Sequence, residues 1–132
     1  MLLDRMKYIF YFVILLCLGS CSTIVTEEDL IGGEWKATAG YENGEPVGEP
    51  YCLPSVWKGL EFKDKETVYV EAYDSDFSYW IEKSKGGPVI YFQGEDFGIY
   101  DKYYIDKINE DEVGLTGKGN LGEGESCYME RQ

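Results

Sequence analysis

Among the side chains able to form covalent bonds, Cys21 has the most telling neighbours: Leu18-Gly19-Ser20 stand directly before it, at the end of an apolar run of 11 residues from Tyr8 to Leu18. Arg5 and Lys7 supply a positive start, and Gly19 and Ser20 are the small residues a signal peptidase needs at its cut. A thiol directly after the cut can take a diacylglyceryl group, and cleavage then leaves Cys21 as the first residue, hung from a membrane by acyl chains of the palmitate type. Spanning a bilayer takes ~20 apolar residues, so the run is too short for a transmembrane helix. An ordinary secretory signal more often ends in Ala-x-Ala. Leu at minus three, small residues at minus two and minus one, and Cys at plus one fit a lipoprotein processing site. Residues 1–20 are therefore expected to be a signal peptide and Cys21 the lipidated residue, held stably because several acyl chains bury many methylenes at ~0.8 kcal/mol each.

Two other cysteines follow, Cys52 and Cys127, and Cys17 falls in the segment to be removed. An even pair in an exported chain reads as a disulfide, and closing a loop of this length is worth ~4 kcal/mol in the chain-entropy model. The pair has neither CxxC spacing nor a histidine nearby, which speaks against redox or metal chemistry. No residue of the chain is histidine, so the commonest general base and the commonest metal ligand are both missing. Carboxylates are so abundant that no single pair stands out as a catalytic couple, and serine without histidine gives no ordinary triad. The acidic clusters Asp74-Ser75-Asp76 and Asn109-Glu110-Asp111-Glu112 lack the full pattern of a calcium loop and read as turns. The expectation is a protein without catalysis, metal or cofactor.

Removing residues 1–20 leaves 24 acidic and 10 basic residues, a formal charge of −14. Such a surface repels nucleic acid and anionic headgroups and keeps the protein soluble beside a membrane. The remaining 112 residues suffice for one small domain. Residues 22–26 form a short tether, and Glu27-Glu28-Asp29-Leu30-Ile31 could make one helical turn before Gly32-Gly33 ends it.

Beyond that point the pattern is one of strands, expected at 34–41, 57–63, 66–74, 77–83, 88–93, 97–108, 112–117 and 126–131. In the first, Trp35, Ala37 and Ala39 share one face, and Lys36 and Thr38 the other. Asn43-Gly44, Pro46, Gly48, Pro50 and Pro54 break regular structure in a long loop from residue 42 to 55. Leu60 and Phe62 face one way across a hairpin from Val68, Val70 and Ala72. Tyr69 and Tyr73 fall on the face opposite Val68, Val70 and Ala72, and Tyr100 and Tyr104 on the face opposite Phe97, Ile99, Tyr103 and Ile105. Alternation alone does not say which face points inward. Eight strands joined in succession predict an all-β fold, an antiparallel up-and-down barrel with no free edges.

Four features give the chain a resemblance to the lipocalin-like lipoproteins of Bacteroidetes: the lipobox cysteine with its short tether, Leu30-Ile31-Gly32-Gly33-Glu34-Trp35 opening the first strand, Cys52 followed by Leu60-Glu61-Phe62, and Tyr103-Tyr104-Ile105-Asp106-Lys107-Ile108 leading through a turn to Cys127-Tyr128-Met129-Glu130-Arg131. The resemblance spans nearly the whole mature chain. It implies that Gly33-Glu34-Trp35 places Trp35 across a closed end of a lipocalin-like barrel, with Arg131 stacked on the ring. The chain departs from true lipocalins in lacking the Thr-Asp-Tyr signature and a C-terminal helix. The expected organisation is a signal peptide at 1–20, lipidated cysteine and tether at 21–31, and the barrel domain at 32–132, anchored to the outer membrane of a bacterial envelope.

Two functions follow. The barrel mouth could hold a small apolar, aromatic or sugar-like ligand, with Tyr69, Tyr73, Tyr79, Tyr100 and Tyr104 as candidate contacts. Alternatively the outer surface docks an envelope protein, as an inhibitor or accessory subunit, around a filled interior. An open aromatic-lined cavity distinguishes the first from the second.

Overall fold

The computed structural model describes residues 24–118 and 124–132; the signal segment, Cys21 and most of the glycine-rich stretch after Lys118 lie outside the described residues. The elements are α1 (Glu27–Leu30), β1 (Trp35–Glu42), β2 (Glu45–Val47), α2 (Pro54–Trp57), β3 (Leu60–Phe62), β4 (Thr67–Val70), β5 (Ser75–Ser84), β6 (Gly87–Gly94), β7 (Ile99–Asn109), β8 (Glu112–Gly117) and β9 (Ser126–Arg131). Single 3-10 turns at Glu71–Tyr73 and Glu95–Phe97 join β4 to β5 and β6 to β7. The fold is all-β. Each strand from β3 to β9 pairs antiparallel with the next, and β1 pairs with both β3 and β9, so eight strands close into a ring.

β2 is the ninth strand and stands outside that ring, in the stretch the sequence reading assigned to an irregular loop. Asn43 and Gly44 both take positive φ (50° and 81°), which makes them the centre of a two-residue hairpin rather than a break. Gly40 is required where the hairpin folds back, because a Cβ there would lie 2.5 Å from the Val47 carbonyl oxygen. A second correction concerns 57–63: only Leu60–Phe62 is strand. Pro54, in the first turn of a helix after an extended Leu53, starts α2, and Trp57 ends it. Strand 66–74 likewise stops at Val70, since Glu71–Tyr73 turns and Asp74 takes a left-handed φ of 48°. β7 begins at Ile99, after the second 3-10 turn.

Alternation decides what the ring encloses. Leu60, Phe62, Val68, Val70, Phe77, Tyr79, Ile90, Phe92, Tyr103, Ile105, Val113, Leu115, Cys127 and Met129 form one buried cluster, while their neighbours in sequence face out. β1 breaks the pattern. A bulge between Ala37 and Ala39 leaves Ala37 packed on the core but turns Ala39 and Tyr41 to the outside, so Ala39 does not share the face of Trp35. The Tyr41 ring then lies flat over Gly114, where a Cβ would meet it at 2.4 Å, and its hydroxyl donates to Asp106 at 2.8 Å.

Candidate functional site

The interior offers little room. Trp35, Leu60, Phe62, Ile90, Phe92, Ile105, Val113, Leu115 and Met129 surround a residual cavity of about 10 Å³, too small for more than about one water molecule. Beside it Phe62 of β3 and Tyr79 of β5, one strand apart in the ring, meet edge to face at 4.7 Å.

Both ends are covered. At one end Trp35 is buried and its indole N–H donates to the Leu30 carbonyl at 2.9 Å, which fixes α1 against the start of β1. Arg131 lies over the same ring with its guanidinium carbon 4.5 Å from the centroid. From there it donates to the carbonyls of Ile31 (3.0 Å), Asp29 (2.6 Å), Glu110 (2.9 Å) and Gly32, and pairs with Asp111 at 3.2 Å. The segment from Val25 to Ile31 thereby crosses this end as a strap. Glu27 accepts the Ile81 N–H at 3.1 Å, Lys107 pairs with Asp29 at 3.4 Å, and Ile31 bridges to Phe62.

β1 and β3 share the single pair Trp35 with Leu60, and towards the other end the segment from Tyr51 to Trp57 fills the gap that this leaves. Cys52 is bonded to Cys127, with Cα atoms 6.0 Å apart, and Tyr51 bridges to Ser126 beside it. The Leu53 N–H donates to the Tyr103 hydroxyl at 3.1 Å, the Ser55 hydroxyl donates to Asp101 at 2.6 Å, and Val56 is fully buried below them. Burial pushes the Asp101 carboxyl above its usual range, only partly offset by the Ser55 bond. It pushes the Tyr103 hydroxyl up as well, with the charges of Glu125 and Asp101 adding to the effect.

The five tyrosines singled out from the sequence do not converge. Tyr79 points into the core, where its hydroxyl donates to the Asp64 carbonyl at 2.5 Å and desolvation raises its pKa. Tyr69 faces out and donates to Asp74 at 2.5 Å. Tyr73, in the 3-10 turn, joins Phe77 and Phe97 in a rim cluster with centroids 5.6 Å and 4.9 Å away. Tyr104 lies over Gly86 on the outside, with the Lys118 ammonium 5.2 Å from its centroid.

Tyr100 belongs to a group the sequence reading missed. On the outer face of β5, β6 and β7, Trp80 and Tyr91 stack at 5.2 Å with planes 5° apart, and Tyr100 lies 6.4 Å and 6.0 Å from them. Tyr100 remains 53% exposed. The register sets Trp80 beside Tyr91 and, one row along, Thr67 beside Ser78, Gln93 and Tyr100. Over that second row lies a groove of about 390 Å³, walled by Asp76, Glu95, Asp96 and the half-exposed Phe97. The signal was available: Trp80 and Tyr91 alternate with Tyr79 and Phe92, so once one set is core the other must face water.

Compared with family models, curated proteins and solved structures, the chain matches none of them.

Proposed function

We propose that this chain is a lipid-anchored binding module that works through its outer surface, around a lipocalin-like up-and-down barrel whose interior is packed shut. The observation that carries the reading is the residual cavity of about 10 Å³ between two covered ends. A barrel that holds a ligand keeps an aromatic-lined cup of a few hundred Å³. Here Trp35 and Arg131 close one end, the disulfide-tied α2 segment closes the other, and the tyrosines proposed as cup contacts lie apart. Anchoring through Cys21 to the outer membrane of a bacterial envelope completes the proposal, supported by the Leu18-Gly19-Ser20-Cys21 motif. No catalytic step is assigned.

Native mass spectrometry of the chain purified from its own host tests the packed interior. The expected result is the mass of the protein alone; a small molecule retained until the protein is activated in the gas phase overturns it. Cys21→Ala tests the anchor: the variant should leave the membrane fraction, and its continued retention there refutes lipidation at this residue.

A further inference from the structure

We infer that the groove over Thr67, Ser78 and Gln93, with the aromatic wall of Trp80, Tyr91 and Tyr100 beside it, binds a neutral oligosaccharide. The inference rests on the surface-binding reading above and names the ligand class of that surface. A sugar ring presents two kinds of surface, C–H faces that lie against aromatic rings and an equator of hydroxyls that need donors and acceptors in register. Both partners occur here side by side. The Ser78 hydroxyl and the Gln93 amide stand next to each other across β5 and β6, and neither has a hydrogen-bond partner within the described residues. Tyr100 follows Gln93 in the same row, and Trp80 and Tyr91 rise in the next, stacked with planes 5° apart. Phe97 bounds the groove from the far side.

Charge selects among saccharides. Asp76, Glu95 and Asp96 line the groove, and among the described residues only Asp76 of the three has a cation paired with it, Lys63 at 3.0 Å. Carboxylates accept hydroxyl protons well and repel carboxylated or sulfated sugars, more so on a chain of this net charge. A protein-docking patch would have an apolar centre with a polar rim. This groove is instead polar along its floor and acidic along its walls apart from Phe97, and the stacked rings of Trp80 and Tyr91 lie in the neighbouring row of the same face.

The test uses the full chain with cellohexaose, laminarihexaose and mannohexaose as neutral probes and hexagalacturonate as the anionic one, read by calorimetry and by tryptophan fluorescence. At least one neutral hexaose should bind, and hexagalacturonate should bind at least about tenfold more weakly. Trp80→Ala and, separately, Gln93→Ala should each weaken the neutral probe by about tenfold, the size of one aromatic or polar contact. Tyr51→Ala, at the Cys52 end, should leave binding unchanged. Gln93→Ala keeps the test sound if Trp80→Ala lowers the melting temperature. Failure of all three neutral hexaoses to bind at millimolar concentration overturns the saccharide assignment, and with a clean native mass the surface reading survives it. Binding that neither variant weakens overturns the groove, and if it accompanies a mass retained from the host, the surface reading falls too.

Discussion

Arg131 is the residue on which one end of the ring depends, and its removal has a magnitude that follows from its contacts. The guanidinium gives four hydrogen bonds to the carbonyls of Asp29, Ile31, Gly32 and Glu110 and covers Trp35. Hydrogen bonds from a charged donor contribute about 1.5–3 kcal/mol each when fully sheltered. Here water reaches the rim and can rehydrate the carbonyls, so much of that sum is recovered. The cation–π contact adds about 1 kcal/mol. The net expectation for Arg131→Ala is a loss of about 3 kcal/mol, or roughly 10–20 °C in melting temperature for a domain of this size. Arg131→Lys keeps the charge but not the planar fork, and should lose about 2 kcal/mol. Urea unfolding gives the free energy, and hydrogen exchange gives its location: amides of residues 29–33 should lose protection before those of β5 and β6. A loss below about 1 kcal/mol, or exchange that rises evenly over the whole ring, refutes the argument that Arg131 holds the strap.

Reducing the Cys52–Cys127 bond, or changing Cys127 to serine, should cost about 4 kcal/mol because the bond closes a loop with a sequence separation of 75; an unchanged urea midpoint under reduction refutes that. Gly114→Ala should lose about 1–3 kcal/mol by driving a methyl group into the Tyr41 ring, and Tyr41→Ala in the same chain should restore part of it; equal losses in the single and double variants would show that the ring is not the obstacle. Asp101 binds its proton more tightly folded than unfolded, so its contribution to stability is full below the unfolded pKa and is lost as pH rises through the folded one. Asp101→Asn should therefore flatten the fall in urea midpoint above about pH 4, and an unaltered profile refutes this. At the alkaline side, Tyr41 and Tyr128 are pushed up to about 12, Tyr41 chiefly by desolvation and Tyr128 chiefly by its bond to Glu112. The unfolded chain releases those protons first, so stability should fall steeply as pH rises from about 10 towards 12, less steeply in Tyr41→Phe; identical slopes refute the assignment to Tyr41.

Where a physical rule acts within a few residues, it was legible in the sequence. Val68 and Val70 alternate with Tyr69 and are core, and the one-turn helix at Glu27–Leu30 follows from its acidic start; over a longer separation, Cys52 and Cys127 pair as the sequence led us to expect. Signals that admit two outcomes were harder. Asn43-Gly44 can end a strand or fold a hairpin, and Pro54 can break a helix or begin one; the neighbours that decide are the Val47 carbonyl beside Gly40 and the core position of Val56. The bulge at Ala37 and Ala39 leaves no mark in an alternating pattern, so the outward turn of Tyr41 was invisible. The candidate site was the least legible part. Alternation separates inward Tyr79 from outward Tyr69 and Tyr100, but only the pairing register decides which outward rings stand side by side.

The pairing of β1 with β9 sets Trp35 beside Arg131, so the first strand of the ring waits for the last. A chain emerging from a ribosome makes its N-terminal strand long before the partner that finishes it, and the ring cannot shut until the six residues of β9 are free to pair. Contacts so distant in sequence make for slow, late closure. Until β9 pairs, β1 is an open edge exposing Trp35 and able to pair with another chain, and that interval, in whichever compartment the ring closes, is where this protein is most exposed to aggregation.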